Sequence, residues 1–401
     1  MQPDVLILGG GAAGLSSAWH LARAGARVLL LEAEAQLGVH SSGQNAAILR
    51  TLVESPMRTR LARKAALSLH RPPVGFCEAP LIDPVGLLLT ADAGLAGDLA
   101  MWVQAAGAAP YAECEATAIN GAEIARLLPH FQHPDGENAA GLYMPGEGQI
   151  DISLLVDSFA KGARQAGAEL RTSCAVAELL VAKQGDVPQI TGVRLTSGET
   201  IPCERVLLAA GAWAGKLGAQ AGSELRFFPR RRHLFVTRND DKINPRLPVV
   251  WNHGDAAQRR IFYMRPESGG MLLCACDEAL IEPTSAYPNG VCPKDDSVLE
   301  DIARAAQLFA PDFADAEVAS WWSGWRTFSE DHDFALGADP KVAGLHWCAG
   351  LAGHGMTASF EAGRLAAASA SEGLACENSD ILSGDDYEGT FAPKAYLSPS
   401  S

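Results

Sequence analysis

The chain has 401 residues, 48% of them hydrophobic and 20% charged, with a mean hydropathy of +0.03. That is a globular composition, and the length exceeds the usual size of one hydrophobic core. A formal net charge of −15 argues against a nucleic-acid partner, which requires a basic surface. Nine cysteines form no paired framework. Cys274 and Cys276 stand closest, but neither a second pair nor a nearby histidine completes a metal-binding set, so buried thiols in a reducing compartment and no metal are expected. Met1-Gln2-Pro3-Asp4 lacks the basic start of a secretory signal. No window reaches the ~18–20 apolar residues of a membrane span, and a cytoplasmic location without a transmembrane segment is expected.

Taken in chain order, Val5 to Leu8 reads as a strand and Leu15 to Ala24 as a helix stopped by Gly25. Arg27 to Leu31 is a second buried strand closed by Glu32. The three form a β-α-β unit of the kind a parallel sheet requires. Later, Leu154 to Ala166 has helical spacing, Glu169 to Ala177 reads as a strand, and Gly192 to Pro202 as a hairpin turning at Ser197-Gly198. Val206 to Ala210 is a continuous apolar strand. Residues 226–281 favour strands, 298–309 a helix, Leu345 to Ala349 a strand and Met356 to Ser371 a helix.

Mononucleotide-fold pieces thus occur at the start, middle and end, separated by β-rich insertions. The expected fold class is α/β, a Rossmann-like domain on a parallel sheet with an intercalated β-rich α+β substrate domain. Residues 1–80, 145–225 and 325–385 are assigned to the discontinuous nucleotide domain, 81–144 and 226–324 to the substrate domain, and 386–401 to a C-terminal tail.

Gly9, Gly11 and Gly14 fit G-x-G-x-x-G between the first strand and helix. Gly9 permits the tight turn, Gly11 lets a pyrophosphate approach the backbone, and Gly14 allows close helix–strand packing. The helix N-terminus offers N–H donors and positive dipole. Glu32, ending the second strand, stands where a carboxylate takes ribose hydroxyls. Two further glycine-rich turns follow later strands, Leu208 to Ala214 and Gly350 to Ala358. The second opens another helix and suits an electronegative group, such as the pyrimidine carbonyl of a flavin. A nicotinamide-only dehydrogenase leaves that turn unexplained.

On these stretches, together with Gly38-Val-His-Ser-Ser-Gly-Gln-Asn-Ala-Ala47 and Gly324-Trp-Arg-Thr-Phe328, the chain resembles the D-amino acid oxidase-like family of FAD-dependent oxidoreductases over nearly its full length. HSSG, PVGFCE, Phe262-Tyr263 and GMLL are similar to bacterial D-arginine dehydrogenase-like members. The resemblance implies noncovalent FAD, held at its ADP half by Gly9, Gly11, Ala13, Gly14 and Glu32. Ser41, Ser42, Gln44, Asn45, Ala46 and Ala47 would run past the pyrophosphate and flavin ring, and Val176 would meet the adenine side. Ala210 and Gly211 follow the middle strand, and Gly353, His354, Gly355, Met356 and Thr357 would border the pyrimidine end. His40 matches a position used for covalent attachment in some relatives.

The resemblance also implies that Arg326 clamps a substrate carboxylate, orienting the Cα–H toward the flavin. Arg231 would be a second contact, and Tyr263 a hydrogen-bond donor. By their residues alone, Arg326 among three tryptophans is equally a stacked structural arginine, Arg230-Arg231-Arg232 a solvated strand edge, and Tyr263 a core tyrosine. The chain departs from the D-arginine dehydrogenases at Leu87, where they carry an acid. It departs again at Ile48, Arg50 and Val53, where they carry histidine, threonine and tyrosine. Arg50 is open to two roles, binding a second anionic group of the substrate or touching the flavin. The expected reaction is oxidation of a C–N bond of an amino acid, N-substituted amino acid or imino acid by hydride transfer, with oxygen or a quinone as acceptor. Oxidation of a 2-hydroxy acid, with His354 as base, and a non-catalytic FAD-binding protein are the alternatives.

Overall fold

The computed structural model describes residues 2–107, 114–184, 187–241, 243–255, 257, 260–283, 292–385 and 387–394. Val5–Leu8, helix Ala12–Ala24 and Val28–Leu31 make the expected β-α-β unit, and Gly25 stops the helix with φ 99°. A six-stranded sheet runs Ala335–Ala338, Leu345–Ala349, Val206–Leu208, Val5–Leu8, Val28–Leu31, Glu169–Arg171. Every pairing is parallel except that of Ala335–Ala338 with its neighbour.

The apolar runs VLIL and VLLL are buried on both faces, which is why they do not alternate with polar residues. Val5, Ile7, Val28 and Leu30 pack into one core with helices Ala12–Ala24, Ile152–Gln165 and Ser359–Ser371. Leu6, Leu8, Leu29 and Leu31 turn the other way, against Leu179, Ile190, Val193 and Ile201 of a three-stranded antiparallel sheet, Val176–Gln184, Val187–Leu195 and Thr200–Pro202. Helices, parallel sheet and meander form three layers, and both interfaces are written into alternate residues of the same strands.

The second large sheet has nine strands among the described residues. In order they are Ala279–Leu280, Phe227–Thr237, Gly270–Cys274, Phe262–Glu267, Val249–His253, Leu87–Ala91, Ala140–Met144 and Thr117–Asn120, with Val318–Ser329 paired to Phe227–Thr237. Helix Val298–Phe309 covers it through Ile302, Ala306 and Phe309. A small sheet of Ile48–Leu49, Gly148–Ile150 and Ile82–Asp83 lies between the nucleotide-type and substrate-type segments in sequence. The architecture is the α/β one expected.

Three readings need correction. The strand expected over Glu169 to Ala177 is two, because Ser173 adopts φ 55° and Ser173 and Cys174 donate to the carbonyls of Glu34 and Glu32. That kink moves the chain from the parallel sheet to the meander. The last helix starts at Ser359 rather than Met356. Val318–Ser329 is one continuous strand that crosses the expected domain limit at 325. Of the expected tail, Tyr387 and Phe391 are buried in the helical core and Phe391 accepts a bond from the Leu336 N–H, while 386 and 395–401 lie outside the described residues. Helix Pro56–His70, capped by Ser55, carries no periodic signal strong enough to have been read from the sequence.

All nine cysteines are free thiols, and no described helix is long and apolar enough to cross a membrane. Helices Ala12–Ala24 and Ser359–Ser371 approach so closely that a Cβ on Gly363 would collide with the side chain and backbone of Ser16. Replacing Gly363 by alanine is therefore expected to cost about 1–3 kcal/mol through overpacking, against the small gain of alanine in a helix. Denaturant unfolding should show the midpoint lowered at unchanged slope; a stabilised variant would contradict the close approach.

Candidate active site

Two cavities of about 610 and 600 Å³ share a wall. The first lies along the C-terminal ends of the parallel strands, where an open α/β sheet leaves a crevice. It is lined by Gly9, Gly11 and Ala13, by Glu32, by Ser41, Ser42 and Asn45, by Val176, by Ala210 and Gly211, and by Gly353, Gly355 and Met356. Gly9 has φ 110°, and a Cβ there would stand 2.5 Å from the Ala209 carbonyl oxygen. Gly14 lines neither of these two cavities; a Cβ on it would strike the Gly9 carbonyl, so it serves the helix–strand approach. Glu32 accepts from the Gly10 and Glu34 N–H groups at 2.5 and 2.9 Å, and Ser42 Oγ accepts from the Ala12 N–H at 2.9 Å. The helix N-terminus, the acid and the serine loop are thus locked together. His40, on the same wall, stacks on Trp213 at 4.4 Å and faces Glu34 at 3.2 Å.

The second cavity lies between that crevice and the nine-stranded sheet. Asn45, Arg326, Ala352, Gly353 and Met356 belong to both walls. Arg326 projects from Val318–Ser329 and is 6% exposed, and burial pulls its pKa below the ordinary arginine value. Its Nη1 donates to the carbonyls of Trp325 and Gln44 at 2.9 and 3.2 Å. Among the described residues no carboxylate pairs with it. Two glycines make room: a Cβ on Gly324 would strike the Gln44 carbonyl, and one on Gly353 would stand 2.8 Å from Arg326 Cδ.

Cross-strand register decides the arginine triplet. Arg230 lies opposite Arg326 and Arg232 opposite Gly324, whereas Arg231 lies opposite Trp325. Opposed residues share a face, so Arg232 lines the cavity and Arg231 does not. Arg231 instead donates to the Pro293 carbonyl at 3.1 Å and pairs with Asp295 at 2.6 Å. The place on the cavity wall expected of Arg231 is taken by Arg232, which pairs with Glu278 and donates to the Asp277 carbonyl at 3.3 Å. Leu87 and Val53 are also absent from the wall. Leu87 is wholly buried with Leu52, Leu89 and Val249, and the Val53 backbone is turned into Thr59. A change of charge at Leu87 therefore says nothing about this cavity.

Ile48, Arg50, Tyr263, His354 and Thr357 do line it, as do Ala46 and Ala47. Gln44 is on the wall of neither cavity, and its carbonyl accepts from Arg326. Trp251, which no motif or periodicity flags, stacks on Tyr263 at 4.6 Å and carries the Arg50 guanidinium at 4.1 Å. Tyr263 is buried, and that burial raises its pKa well above the usual phenol value, so it stays a donor. Burial, with Arg50 and Arg58 next, lowers His354 to about 3 and keeps it neutral. Glu54 and Arg58 were likewise missed; they come from the turn before and the first turn of helix Pro56–His70 and pair at 3.9 Å. Of the eight non-glycine residues with positive φ among the described residues, Ala47, Cys276, His332 and Ala352 all lie on this wall. Strain of that kind persists only where surrounding contacts over-determine the backbone.

A family model described as FAD dependent oxidoreductase matches residues 4–369. The glycine oxidase of Geobacillus kaustophilus (strain HTA426) is 30% identical over 229 residues, 57% of this chain and 55% of that protein. Human mitochondrial dimethylglycine dehydrogenase is 26% identical over 353 residues, 82% of this chain but 38% of that protein. The chain thus spans about half or less of the length of these two curated relatives. The crystal structure of L-proline dehydrogenase from P. horikoshii superposes with a TM-score of 0.78 at 19% identity, covering 98% of this chain and 99% of that one. At that identity the likeness is one of fold.

Beneath the second cavity Glu147 is buried, bonded by the Thr51 N–H and hydroxyl, with Oε2 unpartnered. Burial raises its pKa from 4.5 to about 7. A folded-state pKa above the unfolded one means that the folded protein holds the extra proton between these values. Stability is then full below about pH 4.5 and is lost as pH rises to about 7, by on the order of 3 kcal/mol. Urea unfolding from pH 4.5 to 8 should show this decline, and Glu147→Gln should flatten it; an unchanged slope in the variant would place the titration elsewhere.

Proposed function

Because the chain belongs to the D-amino acid oxidase-like family of FAD-dependent oxidoreductases, we propose that it oxidises the C–N bond of a small amino acid or N-substituted amino acid. FAD is its cofactor, and the residues on the first cavity fit it. A glycine turn opens a helix N-terminus, Glu32 stands at ribose position, and the crevice continues past Ser42 and Asn45 to Gly353 and Met356. Bound there, FAD supplies the acceptor for the hydride and carries the difficult chemistry.

One observation carries the reading. Arg326 is a buried guanidinium without a carboxylate partner, on the wall that both cavities share. A buried charge is stable only when matched, and a planar five-donor fork matches a carboxylate. An α-carboxylate on Arg326 would bring its neighbouring carbon to the cofactor side of the cavity. The other side chains then bear on the proton state of the amine. Cations on the wall disfavour an ammonium ion and favour the neutral amine, whose lone pair assists loss of hydride. Tyr263, protonated throughout, is positioned as a donor on the same wall, and Trp251 and Phe328 add apolar surface among its charged groups. No side chain has to act as a base. Oxidation of a 2-hydroxy acid would need one, and His354, held at about 3, is a poor acceptor for a hydroxyl proton.

Anaerobic mixing with a panel of α-amino, N-methylamino and imino acids should bleach the flavin absorbance. The second-order rate of bleaching should rise with pH as the amine deprotonates, then level. Arg326→Lys should lower that rate about 10²–10³-fold, the cost of replacing a buried bidentate contact by a point charge. If 2-hydroxy acids alone bleach the flavin, or if Arg326→Lys is as fast as the parent, the reading fails.

A further inference from the structure

The charges on the second cavity do not cancel in pairs. Its wall carries four arginines, Arg50, Arg58, Arg232 and Arg326, and four acids, Glu54, Asp277, Glu278 and Asp301. Glu54 lies 3.9 Å from Arg58, which also meets Asp333 at 3.7 Å, and Arg50 is the largest charge acting on Glu54 without touching it; Glu278 is taken by Arg232 and Arg230, and Asp277 by His233. Asp301 pairs with Arg304 on its own helix. Arg326 and Arg50 are left, each 6% exposed, and among the described residues neither has a carboxylate in ion-pair contact. The described acids that act on Arg50 through space are Glu54 and Glu147; neither is in contact with it, and Glu147 is bonded by Thr51.

Arg50 is also held ready. Its backbone N–H donates to Thr357 Oγ1 at 3.4 Å, and its guanidinium carbon lies over Trp251, 4.1 Å from the ring centre. Stacking offsets part of the desolvation of the cation but satisfies none of its in-plane N–H groups. Arg326 lies on both cavity walls, whereas Arg50 lies on the substrate cavity alone. That placement points its fork at substrate rather than at cofactor.

We propose that the substrate is an amine bearing two carboxylates, the one beside the reacting carbon on Arg326 and the second on Arg50 above Trp251. This rests on the C–N oxidation reading and names its substrate class. The two arginines act as a ruler, since a substrate with one carboxylate leaves one buried cation unmatched, and a dicarboxylate of the wrong length cannot reach both. Basic amino acids are disfavoured, because their side-chain cation would meet Arg50. Arg50 is thereby a specificity-determining residue, and Trp251 a positioning residue that sets its height.

The test uses the FAD-loaded protein and unreactive probes, the straight-chain dicarboxylates from malonate to adipate and the monocarboxylates of equal length, titrated while the flavin spectrum is followed. The best dicarboxylate should bind at least about 30-fold more tightly than its monocarboxylate partner, as expected for one charge-assisted contact at a buried cation. Arg50→Met should reduce that ratio to threefold or less, and Arg50→Lys should keep an intermediate ratio. Equal binding of the two series by the parent protein, or an undiminished ratio in Arg50→Met, overturns the proposal. If Arg50→Met does not fold, the parent series and Arg50→Lys decide. Anaerobic reduction by amino monocarboxylates and amino dicarboxylates separates the two readings. Reduction by monocarboxylates with no dicarboxylate advantage sinks the ruler and leaves C–N oxidation standing. Tight dicarboxylate binding without reduction by any amine sinks C–N oxidation, and with it the amine substrate, and leaves only the two-arginine dicarboxylate site.

Discussion

A full positive charge sits at Arg326 where water has little access, and much of the surrounding chain is arranged to tolerate it. Backbone carbonyls of Gln44 and Trp325 hold one nitrogen, and two glycines remove the atoms that would block the side chain. Neither carbonyl neutralises the charge. Backbone dipoles lower the cost of a buried cation without removing it, so the site is complete only with an anion in place. The glycines at 324 and 353 come from different elements; one clears the Gln44 carbonyl that holds Arg326, and the other clears the Arg326 side chain. This explains why GWRTF and GLAGHG, far apart in the chain, behave as one unit.

The nucleotide half of the fold was legible because its signals are local. VLIL, a glycine turn, a helix with Gly25 after it and VLLLE state strand, turn, helix and strand within about thirty residues, a βαβ unit with its acid in place. Each periodic run names its own element without knowledge of its neighbours. The break at Ser173 was not legible, since a left-handed serine held by two distant carbonyls leaves no pattern. The substrate half depends on pairing between segments some ninety residues apart, and there parity alone was ambiguous. Alternation separated Arg231 from Arg230 and Arg232, but which face met the cavity depended on the register with Val318–Ser329. A one-residue slip would have reversed the answer.

Residues around the second cavity divide in the same way. Arg50, Ile48 and Tyr263 lay near recognisable stretches and do reach its wall, whereas Leu87 and Val53 fall beside such stretches but point into packed interior. Trp251 belongs to VVWNH, a strand like any other by composition. Its significance comes from being stacked with a tyrosine of the next strand and an arginine of a distant loop. Such a residue is defined by what surrounds it in space.

The strand order of the parallel sheet bears on how the molecule is made. Val206–Leu208 lies between Val5–Leu8 and Leu345–Ala349, so the cofactor floor joins segments about 200 and 140 residues apart. During synthesis the first β-α-β unit emerges early with its apolar strands unpaired on at least one edge. Its strand edges are paired once Glu169–Arg171 and Val206–Leu208 have followed, but the face toward helix Ser359–Ser371 is covered only when that helix has been made. At emergence rates of about 5–20 residues per second, that face of VLIL and VLLL waits on the order of tens of seconds for its cover. Gly353, Gly355 and Met356 of the first cavity belong to that same late segment, so the cavity is complete only once it has been made.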